Sequence, residues 1–321
     1  MDNKLVLEYI WLDANENFRS KLKIIDKDTF DSKTLPIWHY NGSATGQRSI
    51  TQMEITLNPV RVYKCPLIPI NYFVLCETQD PITKEYLDER HKSRKIFKKY
   101  KSAEPMFGLE QEFFMYDSYT NEPLGVIKEG KKNNTYNTYN TYCENGCNNV
   151  YGRSYLLTVL QNALQMELNV TGMSYKDEPG QAAFQVCSLG IKACDDLQIL
   201  RFLMQRVGEL FNIYTDLHPK PIKDPNFYGS ECHISFSNSE MRNSTSEEAG
   251  KIAVSMRDKL EKKHNEFLEK YYNVETNVRL TPSCGTVRIP NNANHFKDYR
   301  PASNINPYLA CSKFLEVVME E

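Results

Sequence analysis

The chain has 321 residues, a formal net charge of −2, 40% hydrophobic and 25% charged residues, which is the profile of an ordinary folded protein with length for two domains. That balance leaves no electrostatic footprint for a nucleic-acid partner. No apolar run approaches the roughly 20 residues that cross a bilayer, and Met1–Val6 lacks the basic and then apolar blocks of a secretory signal, so a cytoplasmic protein without a membrane partner is expected.

Nine cysteines, an odd and dispersed set, point to reduced thiols. Cys143 and Cys147 have a spacing that zinc sites use, but no second pair or nearby histidine completes four ligands.

The first eighty or so residues read as strands and turns. Tyr9–Asp13 and Ile50–Ile55 are short, branched or aromatic, and partly alternating, and both tryptophans, Trp11 and Trp38, fall in this part. Asn41-Gly42-Ser43-Ala44-Thr45-Gly46-Gln47 carries the glycines and hydroxyl residues of an exposed turn. From about Asp80 the pattern becomes helical, interrupted by a strand from Phe107 to Tyr116. Tyr155–Leu164 and Asp196–Leu203 repeat apolar residues at helical intervals. A third helix is predicted from about Glu247 to Tyr271, with Ser246 as its cap and Lys259–Lys263 on its solvated face. Lys131–Tyr142, repetitive in Asn, Thr and Tyr, is too polar to bury a face and reads as a surface loop.

Glu110 and Glu112 stand two apart in a predicted strand, so their carboxylates share a face. His233 lies in Glu231-Cys232-His233-Ile234-Ser235-Phe236. Alone, neither observation marks a site. Tyr9-Ile10-Trp11-Leu12-Asp13, Asn41–Gln47, Phe107-Gly108-Leu109-Glu110-Gln111-Glu112, Tyr151-Gly152-Arg153, Pro219-Lys220-Pro221-Ile222, Arg288-Ile289-Pro290 and Arg300-Pro301 nevertheless recur in one order. That series resembles eukaryotic-type glutamine synthetase from about residue 8 to 318.

The resemblance implies an α+β protein: an N-terminal β-grasp domain over 1–84, then a catalytic domain of antiparallel sheet and helices over 85–321. It implies stacked rings as a homo-oligomer, or a hetero-oligomer with an active homologue, with sites between neighbouring subunits. The family reaction is ATP-dependent ligation of glutamate and ammonia to glutamine, with Mg or Mn ions neutralising the phosphates. On that pattern Glu110, Glu112 and His233 match metal ligands. Ser237, Arg242 and Arg288 match residues on the nucleotide and phosphate side, and Arg279 and Arg300 match catalytic arginines.

The departures are as specific as the matches. Lys176, Ala183 and Lys297 stand where three further ligand glutamates are expected. Asn41 replaces the aspartate that binds and deprotonates ammonium, and an amide is no useful base near neutral pH. Glu231 replaces a glycine, and Glu178 lies two residues from Lys176 as a candidate substitute ligand. The family's lid over the reactive intermediate is expected to be deleted, the chain passing within a few residues through Pro282–Gly285 to Val287. A lysine offers no lone pair while charged, and repels a dication a few ångströms away by on the order of several kcal/mol at an effective dielectric near 20. The expectation is a pseudoenzyme with ligase activity lost or severely weakened and doubtful ATP and metal binding, in which Lys176 and Lys297 pair with Glu110 and Glu112. The alternative is an active ligase with a rearranged metal site.

Overall fold

A computed structural model describes residues 3–51, 53–125, 141–146, 150–222, 229–273, 287–289 and 294–320. The chain divides into two compact units, Met1–Lys95 with Gln161–Leu168, and Ile96–Leu160 with Asn169–Glu321.

Alternation builds the first unit. Its strands are β1 (Lys4–Leu12), β2 (Phe18–Asp26), β3 (Trp38–Asn41), β4 (Glu54–Lys64) and β5 (Tyr72–Gln79). They form one sheet in the order β2-β1-β5-β4-β3, parallel between β1 and β5 and antiparallel elsewhere. Every second side chain of β1, Leu7, Tyr9 and Trp11, enters a core with Tyr40, Ile55, Leu57 and Val74, as the two-residue period requires. Trp11 packs on Tyr40 at 4.5 Å between ring centres. The predicted turn after β3 is held by the Gly42 carbonyl, which accepts from the backbone N–H groups of Thr45, Gln47 and Arg48. The strand expected at Ile50–Ile55 begins only at Glu54, and Ile50 is 81% exposed rather than packed in the core. The helix α1 (Glu89–Lys99) follows.

The second unit is organised by β6 (Met106–Asp117), with β7 (Glu122–Pro123) paired to its end. After α2 (Arg153–Gln165) come β8 (Val170–Tyr175), β9 (Gln181–Leu189), α3 (Lys192–Phe211), β10 (Ile213–Asp216) and β11 (Cys232–Ser237). Then follow α4 (Ser239–Asn243), α5 (Ser246–Lys262), α6 (His264–Lys270), β12 (Val287–Arg288), β13 (Phe296–Asp298) and α7 (Pro307–Met319). The sheet runs β12-β13-β11-β6-β9-β8, and β10 and β7 also pair with β6. Each of these pairings is antiparallel.

The two faces of β6 have different chemistry. Phe107 packs among Phe236 and Phe314 on the helix-covered side. On the same side the buried Gln111 Oε1 accepts from Arg201 Nε of α3 at 2.8 Å. Arg201 also donates to the carbonyls of Ile305 (2.9 Å) and Ser303 (3.0 Å), so this buried guanidinium ties sheet, helix and C-terminal segment together. Glu110 and Glu112 point from the opposite face. All seven cysteines among the described residues are free thiols.

The helix predicted from Glu247 to Tyr271 is two helices, broken at Lys263. Its cap is Thr245 rather than Ser246: the Thr245 hydroxyl and the Glu248 carboxylate bond each other's backbone N–H groups in a capping box. Most of the Lys131–Tyr142 segment, and Cys147, lie outside the described residues.

The turn between β8 and β9 positions Lys176. Lys176 N–H donates to the Gln181 carbonyl at 3.1 Å, and Gln181 N–H to the Glu178 carbonyl at 3.0 Å. Gly180 closes this turn at φ +74°, where a Cβ would lie 2.6 Å from the Leu124 carbonyl oxygen. Both the left-handed backbone and the backbone clash oppose any side chain there. Gly180→Ala is therefore expected to lower unfolding free energy by about 2 kcal/mol, measured by urea denaturation; a change within error would show that the turn relaxes freely.

Candidate functional site

Strand register brings the charged residues together. His233 of β11 pairs with Glu110 of β6, and Ala183 of β9 pairs with Glu112. Paired residues present their side chains on one face, so Glu110, Glu112 and His233 converge, with ligand atoms within 4.8 Å of one another. Lys297 of β13 lies opposite Ser235, and Lys176 follows the last residue of β8.

Both lysines reach the carboxylates. Lys176 Nζ lies 3.0 Å from Glu110 Oε1 and 2.7 Å from Glu112 Oε1, bridging the pair. Lys297 Nζ bonds the other oxygen, Glu110 Oε2. Glu112 Oε2 accepts from the Glu231 backbone N–H at 3.0 Å. His233 Nε2 meets Glu231 Oε2 at 2.5 Å, while its Nδ1 stands 3.6 Å from Glu110 Oε2, a charge contact beyond hydrogen-bond length.

These contacts set the charge states. Burial pushes the Glu110 carboxyl up, but the His233 ring and the two ammonium groups more than offset this and hold it well below the usual carboxylate range. At Glu112 burial wins, and its carboxyl is raised despite His233 and Lys176. Burial disfavours charge on Lys176, yet Glu112 and Glu110 raise its pKa above the ordinary lysine value. His233 is likewise raised: burial opposes its imidazolium, but Glu110, Glu231 and Glu112 surround it with negative charge.

The cluster lies at one end of a cleft of about 380 Å³, with Tyr142, Asp177, Arg288 and Tyr299 also on its walls. Tyr299 is a shared platform, 4.6 Å from the His233 ring, 5.0 Å from the Arg288 guanidinium and 4.9 Å from the Lys297 ammonium. A second cleft of about 430 Å³ shares Glu110, Gln185 and Lys297 with the first and is bordered by Ser237 and Arg242. Arg242 is held there by the Ser237 hydroxyl and carbonyl, each at 3.2 Å, and by the Glu104 carbonyl at 2.9 Å.

Other expected site residues are placed elsewhere. The Arg300 guanidinium is 1% exposed; it grips both Asp298 oxygens at 2.8 and 2.6 Å and meets His264 Nδ1 at 3.2 Å. It is committed to the interior rather than turned to either cleft. Glu178 is buried in the β8–β9 turn, outside the three-residue group of Glu110, Glu112 and His233. Asn41, in the first unit, caps its own turn, its Oδ1 accepting from Ser43 N–H at 3.0 Å and Ser43 Oγ at 2.7 Å. Arg279 and Pro282–Gly285 lie outside the described residues.

Glu231 and Tyr299 are the participants that sequence reasoning left without a role. For Glu231 the signal was present: it stands two residues before His233 in extended chain, the same spacing that relates Glu110 to Glu112. Nothing in the sequence marks Tyr299, whose role comes from the proximity of β13 to β11.

Comparison with known proteins identifies relatives of this chain. The family model described as "Glutamine synthetase, catalytic domain" matches residues 87–259. A protein of Acanthamoeba polyphaga mimivirus is 33% identical over 98% of this chain and 94% of its own length. The glutamine synthetase of Debaryomyces hansenii is also 33% identical, over 99% of this chain and 90% of its own. In fold, the chain superposes on the electron cryomicroscopy structure of Plasmodium falciparum glutamine synthetase with a TM-score of 0.74 at 14% identity, covering 99% of this chain and 72% of that one. Near-complete coverage at this identity, together with the family model, places the chain in the glutamine synthetase family.

Proposed function

We propose that this chain is a glutamine synthetase family member whose glutamate–ammonia ligase activity is lost or severely weakened, and that it acts as an oligomer-forming or interaction protein. The observation that carries this reading is the Lys176 ammonium bridging Glu110 and Glu112. The family reaction needs divalent cations that accept phosphate oxygens as ligands. An ammonium group neutralises carboxylates, but it has no coordination position to offer a phosphate. Residues that match metal ligands are thereby turned into partners of lysine.

Two further features support the same reading. Asn41 carries no ionisable group where ammonium would be deprotonated. Arg300 spends its guanidinium on Asp298 and so is withdrawn from any anion. Ser237, Arg242 and Arg288 remain on the cleft walls, a polar and cationic remnant suited to residual nucleotide or anion contact. In this reading the mixed five-stranded sheet is the β-grasp domain, with 1–84 and 85–321 as the functional division of the chain. The protein is cytoplasmic and assembles as rings of its own subunits or with an active homologue. Among the described residues no helix is long and apolar enough to cross a membrane.

Purified protein given glutamate, ammonia, ATP and Mg²⁺ is expected to form no glutamine above background. Clear turnover that disappears in Glu112→Ala would overturn the proposal. Size-exclusion chromatography with light scattering is expected to show a multimer, either alone or after mixing with a catalytically active homologue. A stable monomer under both conditions would remove the assembly role.

A further inference from the structure

We infer that the Glu110–Glu112–His233 cluster is closed to divalent cations by the chain's own ammonium groups, and that Lys176, the one that bridges both carboxylates, is the principal block to a divalent-cation site there. The inference deepens the proposed function and rests on it for what the site has lost, but its readout does not involve glutamine formation.

Three ligand-type side chains within 4.8 Å would suit a hard dication if their lone pairs were available. They are already engaged. Both Glu110 oxygens accept from ammonium groups, one from Lys176 and one from Lys297. Glu112 Oε1 contacts Lys176 at 2.7 Å, and Glu112 Oε2 takes the Glu231 N–H at 3.0 Å. His233 directs Nε2 to Glu231, which leaves Nδ1, a buried nitrogen without a hydrogen-bond partner, as the remaining donor atom of the cluster. One nitrogen does not hold Mg²⁺ or Mn²⁺, which need several oxygen ligands.

The position of Lys176 matters more than its charge alone. Its nitrogen lies within 3.0 Å of one oxygen from each glutamate, so it fills the volume in which an ion shared by the two carboxylates would sit. Lys297 reaches only Glu110. A carboxylate at position 176 would withdraw the bridging cation and add oxygen ligands on the same side, leaving Glu110, Glu112 and the new group facing one another. Such a cluster of buried carboxylates requires a cation. Lys176→Glu is therefore expected to create a divalent site and, with it, a divalent requirement for stability.

Equilibrium dialysis against Mn²⁺ and thermal unfolding in EDTA or Mn²⁺ test this directly. The natural chain is expected to retain no stoichiometric Mn²⁺ and to melt at the same temperature in both solutions. Lys176→Glu is expected to take up about one Mn²⁺ per chain and to melt several degrees higher with Mn²⁺ than with EDTA. If Lys176→Glu does not fold in EDTA, refolding on addition of Mn²⁺ supports the inference, and failure to refold overturns it. Lys176→Gln, which removes the ammonium without adding a charge, is expected to bind Mn²⁺ more weakly than Lys176→Glu but measurably. Stoichiometric Mn²⁺ on the natural chain, or a folded Lys176→Glu that takes up none, would overturn the inference. A natural chain that binds no divalent cation yet forms glutamine would sink the proposed loss of activity and leave this inference standing.

Discussion

The bridge from Lys176 to Glu110 and Glu112 is the constraint from which the rest of the cleft follows. A strand that places two carboxylates on one face and buries them must receive positive charge, because isolated ions in a protein interior are costly. Here that charge arrives on side chains from the β8–β9 turn and from β13, not from solution. The cation is therefore fixed in place and in number. It cannot exchange or be removed by a chelator, nor can it carry a substrate oxygen in its coordination shell. The same contact that compensates the carboxylates also occupies one oxygen of each.

The surrounding contacts make this arrangement rigid. Arg201 on the far side of β6 fixes the strand through Gln111, so the backbone that carries Glu110 and Glu112 is held from both faces. Gly180 shapes the turn that presents Lys176. Asp298, beside Lys297 in β13, is gripped by Arg300 and also accepts from the Tyr272 hydroxyl at 2.8 Å. That buried pair anchors the short strand from which Lys297 reaches Glu110. An arginine expected to face an anion thus serves the cluster at one remove, as support for its second lysine.

Much of the fold was legible because local signals agreed with it. The alternation in Tyr9–Asp13, the turn after Asn41 and the helical periodicities near Tyr155 and Asp196 each reported a face to be buried. The signals failed where context decides. Ile50 sits in exposed chain although its neighbourhood reads as strand, and a single lysine breaks the long helix into α5 and α6 without glycine or proline to announce it. At the site, the lysine–glutamate pairing was legible from charge reversal at family positions. The division of labour was not: only three-dimensional register shows that Lys176 bridges both carboxylates while Lys297 takes one. The fate of Arg300 was equally hidden, since an arginine beside an aspartate reads the same whether it faces a ligand or the core.

The cluster also pairs opposite charges. The ammonium groups of Lys176 and Lys297 and the His233 ring face the carboxylates of Glu110, Glu112 and Glu231. Without those cationic partners Glu110 and Glu112 would be under-compensated, and such a cluster would destabilise the sheet that carries it. Glu231 fits this account because it supplies the counter-charge for His233, whose Nε2 it holds at 2.5 Å. The charges that compensate these carboxylates are thus part of the polypeptide itself.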